Sequence, residues 1–177
     1  VENFRGIGHA TLHPLHPRLN VLYGRNASGK STLLDALRIG LAALVPKLPP
    51  NISEKIGELP AIYERDRRIS TDSQEPAPFV RITMSGQGHQ GEPLVWQVER
   101  DYARGAEAQD RETAALAPYF EALNERLGRS DPQATLPVFA FYGSQRVPSA
   151  KTEQPATPSD ERRTRSDGLA DALKGVA

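Results

Sequence analysis

Apolar positions along this chain fall into short clusters separated by glycine, proline and charge, and the clusters do not share one period. Residues 1–4, 9–12 and 19–23 read as three short strands. Turns at Arg5-Gly6-Ile7-Gly8 and His13-Pro14-Leu15-His16-Pro17 break them, since glycine and proline favour conformations a ladder does not use. Leu33, Leu34, Leu37, Leu41 and Leu44 then recur at helical spacing. They predict a helix over 31–44 with a leucine face, ended before Pro46. Residues 52–59 suggest a short helix, and the polar stretch 64–78 reads as loop. Val80, Ile82 and Met84 alternate with Arg81 and Thr83, which predicts a half-buried strand over 79–84, paired as a hairpin with 94–100. Leu116, Phe120, Leu123 and Leu127 sit at i, i+4, i+7 and i+11 of a helix predicted over 111–127. Pro118 kinks or restarts that helix, and Gly128 is its natural stop.

The run Leu136-Pro137-Val138-Phe139-Ala140-Phe141-Tyr142 is short and almost wholly apolar, the pattern of a strand covered on both faces in a parallel core sheet. It leads into Gly143-Ser144-Gln145-Arg146, a polar break at a strand end, where open α/β sheets gather ligand-facing residues. Residues 148–167 are rich in proline, serine, threonine and charge and read as a flexible loop or linker. A further helical pattern begins at Gly168. Both ends of the chain read as cut, Val1 lying within a strand pattern and Ala177 just beyond a helix start.

The chemistry concentrates in Gly24-Arg25-Asn26-Ala27-Ser28-Gly29-Lys30-Ser31-Thr32, which fits G-x-x-x-x-G-K-[ST], the phosphate-binding loop. A strand before it and a helix after it are what the mechanism needs. Successive backbone N–H groups wrap phosphates, and the helix N-terminus adds the positive end of its dipole. Gly24 and Gly29 permit backbone geometry and close approach that a Cβ would hinder. Lys30 places a compact charge at the β- and γ-phosphates. Ser31 offers a hydroxyl to Mg²⁺, an ion that retains waters and shares phosphate oxygens. Thr32 reads equally as an α-phosphate donor or a hydroxyl capping its own backbone. Arg25 and Ala27 shape the loop.

Composition narrows the class. Lysine plus arginine and aspartate plus glutamate number 22 each, so net charge offers no bulk argument for nucleic acid or an acidic membrane surface. There is no cysteine, which removes disulfides, thiolate metal sites and cysteine nucleophiles. No apolar run approaches a membrane span and no charged-then-apolar leader opens the chain, so a soluble, cytoplasmic protein is the expectation. His9, His13 and His16 have helical ligand spacing, but Pro14 and Pro17 forbid the helix and no carboxylate completes a site. Arg65, Asp66, Arg67 and Arg68 could touch nucleic acid, although a solvated loop explains them better. Trp96 and the tyrosines form no stacking stripe.

Asn26 within the loop, the succeeding Leu33-Leu34-Asp35-Ala36-Leu37 and the opening Glu2-Asn3-Phe4-Arg5-Gly6 together resemble the ABC-type ATPase heads of the RecF, SMC and SbcC group. The closest likeness is to the bacterial AAA-type ATPases of that lineage, including anti-phage defence and retron-associated ones, in which an element like Tyr142-Gly143-Ser144-Gln145-Arg146 follows a core strand. The resemblance spans 1–44, reaches again to 136–146, and is absent between. It implies an α/β P-loop NTPase fold, the N-terminal lobe of an ABC-ATPase-like head, with a mixed sheet and an antiparallel β subdomain. Residues 1–146 would form that lobe, 147–167 a flexible linker or loop, and 168–177 the start of a truncated helical region. The nucleotide would be ATP with Mg²⁺, held by Arg5, Gly24, Asn26, Ala27, Ser28, Gly29, Lys30, Ser31 and Thr32. The metal would meet Ser31 and Gln145. Gln145 reads equally as an exposed loop amide, and Arg5, placed by the resemblance near phosphates or base, also reads as a surface turn arginine.

The resemblance further implies a homodimer formed head to head around Mg-ATP, with DNA or a nuclease or effector protein as partner. A second lobe would carry a Leu-Ser-Gly-Gly type segment, an apolar strand ending in Asp-Glu and a switch histidine, none of which is in this sequence. Met84-Ser85-Gly86-Gln87-Gly88 and Val95-Trp96-Gln97-Val98-Glu99 imitate the first two. The former reads better as a hairpin turn and the latter as a half-exposed strand. No catalytic residue is assigned in this chain, and Lys30 only stabilises phosphate. Two rival readings remain: a non-hydrolysing, nucleotide-gated interaction module and a P-loop phosphotransferase.

Overall fold

The computed structural model describes residues 1–49, 53, 58–89, 91–103, 110–129, 131, 134–136 and 139. Strands β1 (Glu2–Phe4), β2 (Ile7–His9), β3 (Phe79–Gln87), β4 (Pro93–Asp101) and β5 (Asp110–Glu112) form one sheet in the order β2-β1-β3-β4-β5. Helix α1 (Lys30–Ala42) and helix α2 (Ala117–Gly128) are the longer helices among the described residues, and short 3₁₀ turns occupy Val45–Lys47, Glu64–Asp66 and Ala114–Leu116.

The β3–β4 hairpin lies where alternation predicts it, with a longer ladder than expected, from Phe79 opposite Asp101 to Gln87 opposite Pro93. Val80, Ile82, Trp96 and Val98 point into the core while Thr83, Ser85 and Val95 face out. Met84 to Gln87 therefore belong to a strand and its turn, and 95–99 to the facing strand, so neither imitation is a nucleotide motif. Across the outer face Arg81 bridges three strands, meeting Glu99 at 2.6 Å and Glu2 at 3.5 Å. The hydrogen bond from Arg81 to Glu99 is the main reason its guanidinium stays above its ordinary pKa.

The start of the chain is tighter than expected. Phe4 pairs with Ile7, so the turn is only Arg5-Gly6, and β2 comes earlier than the predicted 9–12. Arg5 adopts a left-handed backbone, φ 52°, as a two-residue hairpin turn demands. Residues 19–23 correct the sequence reading: they form no strand, and Leu19, Val21 and Tyr23 are exposed, Tyr23 by 92%. A strand exists only by pairing, and no described segment pairs with this one. Every pair in the sheet is antiparallel, so the expected mixed sheet is not seen among the described residues. The 136–142 run, expected to supply a parallel strand, falls largely outside the described residues.

Helix α1 begins one residue before the predicted 31–44 and ends two short of it, and of the predicted leucine face only Leu44, just past its end, is buried. Ala36, Ile39, Gly40, Ala42 and Ala43 are buried, whereas Leu34 is exposed and Leu33, Leu37 and Leu41 are half-buried. Small residues win this face because the helix presses closely on the sheet. A Cβ on Gly40 would lie 2.6 Å from Met84 Cγ, and the Gly40 carbonyl accepts a hydrogen bond from Trp96 Nε1 at 2.8 Å. Gly40→Ala should therefore destabilise the fold by about 1 kcal/mol: overpacking near the root of a side chain outweighs the roughly 1 kcal/mol of helix propensity regained. Chemical denaturation checks this, and a variant more stable than the parent would show that Met84 moves aside freely.

The second helix starts later than predicted, because β5 and a 3₁₀ turn occupy 110–116 and Pro118 falls in the first turn of α2, where its missing N–H is harmless. Leu116, Phe120 and Leu123 are buried as their spacing required. Asn124 Nδ2 donates to the Lys47 carbonyl at 3.1 Å and ties α2 to the 3₁₀ turn that follows α1. The short helix expected over 52–59 lies mostly outside the described residues.

The polar stretch 64–78 is largely exposed loop, as read, but Asp66, Arg67 and Arg68 are built into the fold. Arg67 pairs in an isolated bridge with Phe4, stacks 4.4 Å from the Tyr102 ring and donates to the Ala77 carbonyl. Arg100 donates to the Ile62 carbonyl, and Ile62 is wholly buried. Asp66, one member of what reads from sequence as a loose charge run, is a buried carboxylate.

Candidate nucleotide-binding site

The loop between residues 23 and 30 is held by its own backbone. Ala27 takes φ 63° and Gly29 φ 88°, two left-handed residues within three positions, and Ser28 N–H donates to the Arg25 carbonyl. A Cβ on Gly24 would approach Ser28 Oγ to 3.0 Å, so a larger residue there would crowd the loop. Helix α1 comes directly after, with Gly29 as its N-cap. No side chain caps this end, and its first turn carries no acidic residue. Its leading N–H groups lack intrahelical acceptors, as in any helix, and here nothing acidic quenches them. That combination suits an anion.

Gly6, Ile7, Asn26, Ala27, Ser28, Gly29, Lys30, Ser31 and Thr32 line one depression of about 630 Å³. The structure thus gathers most of the residues singled out in the motif around one hollow and adds Gly6 and Ile7 as a wall, next to the Arg5 that the resemblance had placed near the nucleotide. Gly24 does not line that hollow and joins it only through the bond its carbonyl accepts from Lys30. Lys30 Nζ donates to the carbonyls of Gly24 (2.9 Å) and Arg25 (2.7 Å) and to Ser28 Oγ (3.3 Å), so the ammonium lies over the loop it serves. A second cavity of about 590 Å³ lies between the β3–β4 turn and α2. Its charged lining is spoken for: Arg126 meets Asp131 at 2.7 Å, and Glu92 has partners of its own. Size does not separate the two hollows; the chemistry of the walls does.

Arg5 is not a free surface cation. Its Nε donates to Asp66 Oδ1 at 2.7 Å and its Nη1 to Asp35 Oδ2 at 2.6 Å. Burial opposes its charge most strongly, but the bonds to Asp66 and Asp35 together outweigh it and leave the guanidinium above its ordinary pKa. Its backbone N–H also donates to the Asp66 carbonyl, and the ring of Phe4 lies 4.8 Å below its guanidinium carbon. Asp66 Oδ2 accepts the Tyr63 N–H at 2.9 Å, which closes the 3₁₀ turn. Sequence reasoning missed both carboxylates. Asp35 left a signal, a lone acid one turn after Ser31 in an apolar helix; Asp66 was hidden in a charge run.

His16 caps its local turn, its ring nitrogen accepting from Arg18 and Leu19 N–H, and His9 meets Thr11. Among the described residues no three His, Asp, Glu or Cys side chains cluster as a metal site. Gln145 lies outside the described residues, as does the rest of the Tyr142–Arg146 element.

A loop of this geometry leading into an uncapped helix suits the binding of an anion such as phosphate. The family model described as an AAA domain matches residues 1–176, and the chain belongs to that family. No curated protein matches it. The function this supports at family level is ATPase-like nucleotide binding. No helix among the described residues is long and apolar enough to cross a membrane.

Proposed function

We propose that the chain binds Mg-ATP at Gly24–Thr32 as the N-terminal lobe of an ABC-type head like those of the RecF and SMC group. The observation that carries this is the depression walled by the loop, the bare start of α1 and the β1–β2 turn. Gly24, Asn26, Ala27, Ser28 and Gly29 form the cradle, Lys30 carries the charge, and Thr32 adds a hydroxyl in the first helical turn. Arg5 stands beside the cradle, one residue from Gly6. The donor set fits Mg²⁺ as this ion is usually held: Ser31 offers one hydroxyl at the hollow, with no dedicated carboxylate cage among the described residues. Mg²⁺ would supply charge neutralisation on the phosphate oxygens, and Gln145 would be its second protein contact.

In the same reading the head closes on a second copy around bound ATP and works in DNA-associated or defence processes, in the cytoplasm, with residues 147–167 as a flexible linker or loop. Chemistry on the γ-phosphate is positioning plus charge stabilisation, and it needs a group to orient the attacking water. Glu99 is not that group: it sits in mid-strand, bonded to Arg81 and Gln97.

Calorimetric titration of the purified chain with Mg-ATP tests the proposal. The expected result is saturable binding between about 10 µM and about 1 mM, that is, roughly 4–7 kcal/mol, with negligible phosphate release. Absence of saturable binding overturns the nucleotide reading. Steady turnover at about 1 s⁻¹ or faster overturns the incomplete-head reading, since enzymes that complete their own sites reach such rates.

A further inference from the structure

We infer that Asp35 is a displaceable counter-ion for Arg5, held on the arginine until a nucleotide's phosphates take its place, while Asp66 is the fixed anchor. The inference rests on nucleotide binding at the loop and adds a positioning device to it.

The two carboxylates hold Arg5 unequally. The Asp66 side chain is only 2% exposed and is locked from a second side by the Tyr63 N–H. Pulling it from Arg5 would strand a charge where water cannot reach. Asp35 is 22% exposed and is seen bonded to Arg5 through one oxygen, so water can replace that contact at small cost. One arm is permanent and the other is exchangeable.

Position decides what exchanges. Asp35 lies four residues after Ser31, one helical turn along the same face, and Ser31 lines the depression. Arg5 is bonded in sequence to Gly6, which lines it from the other side. The cluster holds one cation against two carboxylates, a surplus negative charge set beside an anion site. A polyphosphate carries more charge than a carboxylate and matches the guanidinium's fork of donors. When it arrives, the Nη1 arm leaves Asp35 while the Nε arm stays on Asp66, and the arginine pivots on its anchor.

Asp35 therefore opposes nucleotide binding, and it does so through Arg5. In titrations of the full chain with Mg-ATP, Asp35→Asn should tighten binding about five-fold, since a neutral amide competes less for the guanidinium. The same substitution in an Arg5→Gln background should change affinity by less than about two-fold, because the cation it acts through is gone. Arg5→Gln keeps a donor for Asp66, and a thermal melt establishes that each variant is folded before it is titrated. Unchanged or weaker binding by Asp35→Asn overturns the inference. Equal tightening in both backgrounds also overturns it, because the effect would then be simple removal of a nearby negative charge. If the parent chain shows no saturable binding at all, the nucleotide reading itself has failed, and the counter-ion role falls with it.

Discussion

Lys30→Ala should weaken Mg-ATP binding by about a hundred-fold, equivalent to about 3 kcal/mol, while leaving the fold intact. The ammonium donates to the Gly24 and Arg25 carbonyls and to Ser28 Oγ, all within its own loop. Those bonds lie at the surface, where water replaces each with little net loss, so the melting temperature should move by only a degree or two. With nucleotide bound, the same three donors turn to phosphate oxygens, and the attraction of opposite charges is added to bonds that until then had only one charged partner. The contrast between a large affinity loss and a small stability loss is the signature to look for. Isothermal titration beside differential scanning calorimetry reads both. A variant that binds Mg-ATP within three-fold of the parent would mean that Lys30 stays folded over its loop and that the depression is not a phosphate site. Lys30→Arg is a useful companion, since its wider planar head cannot reproduce a point charge over three close oxygens.

The range of each interaction decides whether it is legible in the sequence. The β3–β4 hairpin and the phosphate loop are legible because their determinants are local: alternation from Val80 to Met84 in one case, two glycines and a lysine at fixed offsets in the other. The stripe buried by α1 is not. Counting leucines chooses the face of Leu33, Leu37 and Leu41, yet the sheet lies against Ala36, Ile39 and Gly40, because close approach favours small residues over large ones. Periodicity reports that a helix has an apolar face, not which apolar face meets which neighbour. Residues 19–23 fail for a related reason: an apolar run becomes a strand only when a second strand is beside it. In the site, the loop residues carry their own signal, whereas Gly6, Ile7, Asp35 and Asp66 reach it through contacts spanning up to 61 positions, which no local pattern records.

Arg5→Ala should be among the most damaging substitutions to stability, at about 3–4 kcal/mol, and more damaging than Asp66→Ala at about 2–3 kcal/mol. The asymmetry comes from where each partner is left. Without Arg5, Asp66 remains a carboxylate with a 2% exposed side chain and the Tyr63 N–H as its other recorded donor. Without Asp66, Arg5 is 38% exposed and can turn to water while still reaching Asp35, so solvent screens much of the loss. What Asp66→Ala loses in addition is the closure of the Glu64–Asp66 turn, worth about 1 kcal/mol as a cap. Both variants also loosen the segment that pairs Arg67 with Phe4, whose ring is wholly buried under the Arg5 guanidinium. Equilibrium unfolding in urea measures each loss, and the double variant completes the cycle: a coupling of about 1–3 kcal/mol is expected for two groups in direct contact. Equal losses for the two single variants would mean that Asp66 finds water when Arg5 is gone, and that the 60s segment is not sealed against β1. The Asp35→Asn variant supplies the internal control. It removes the exposed arm alone and should lose less than about 1 kcal/mol, because a contact that nucleotide is to displace cannot be one on which the fold depends.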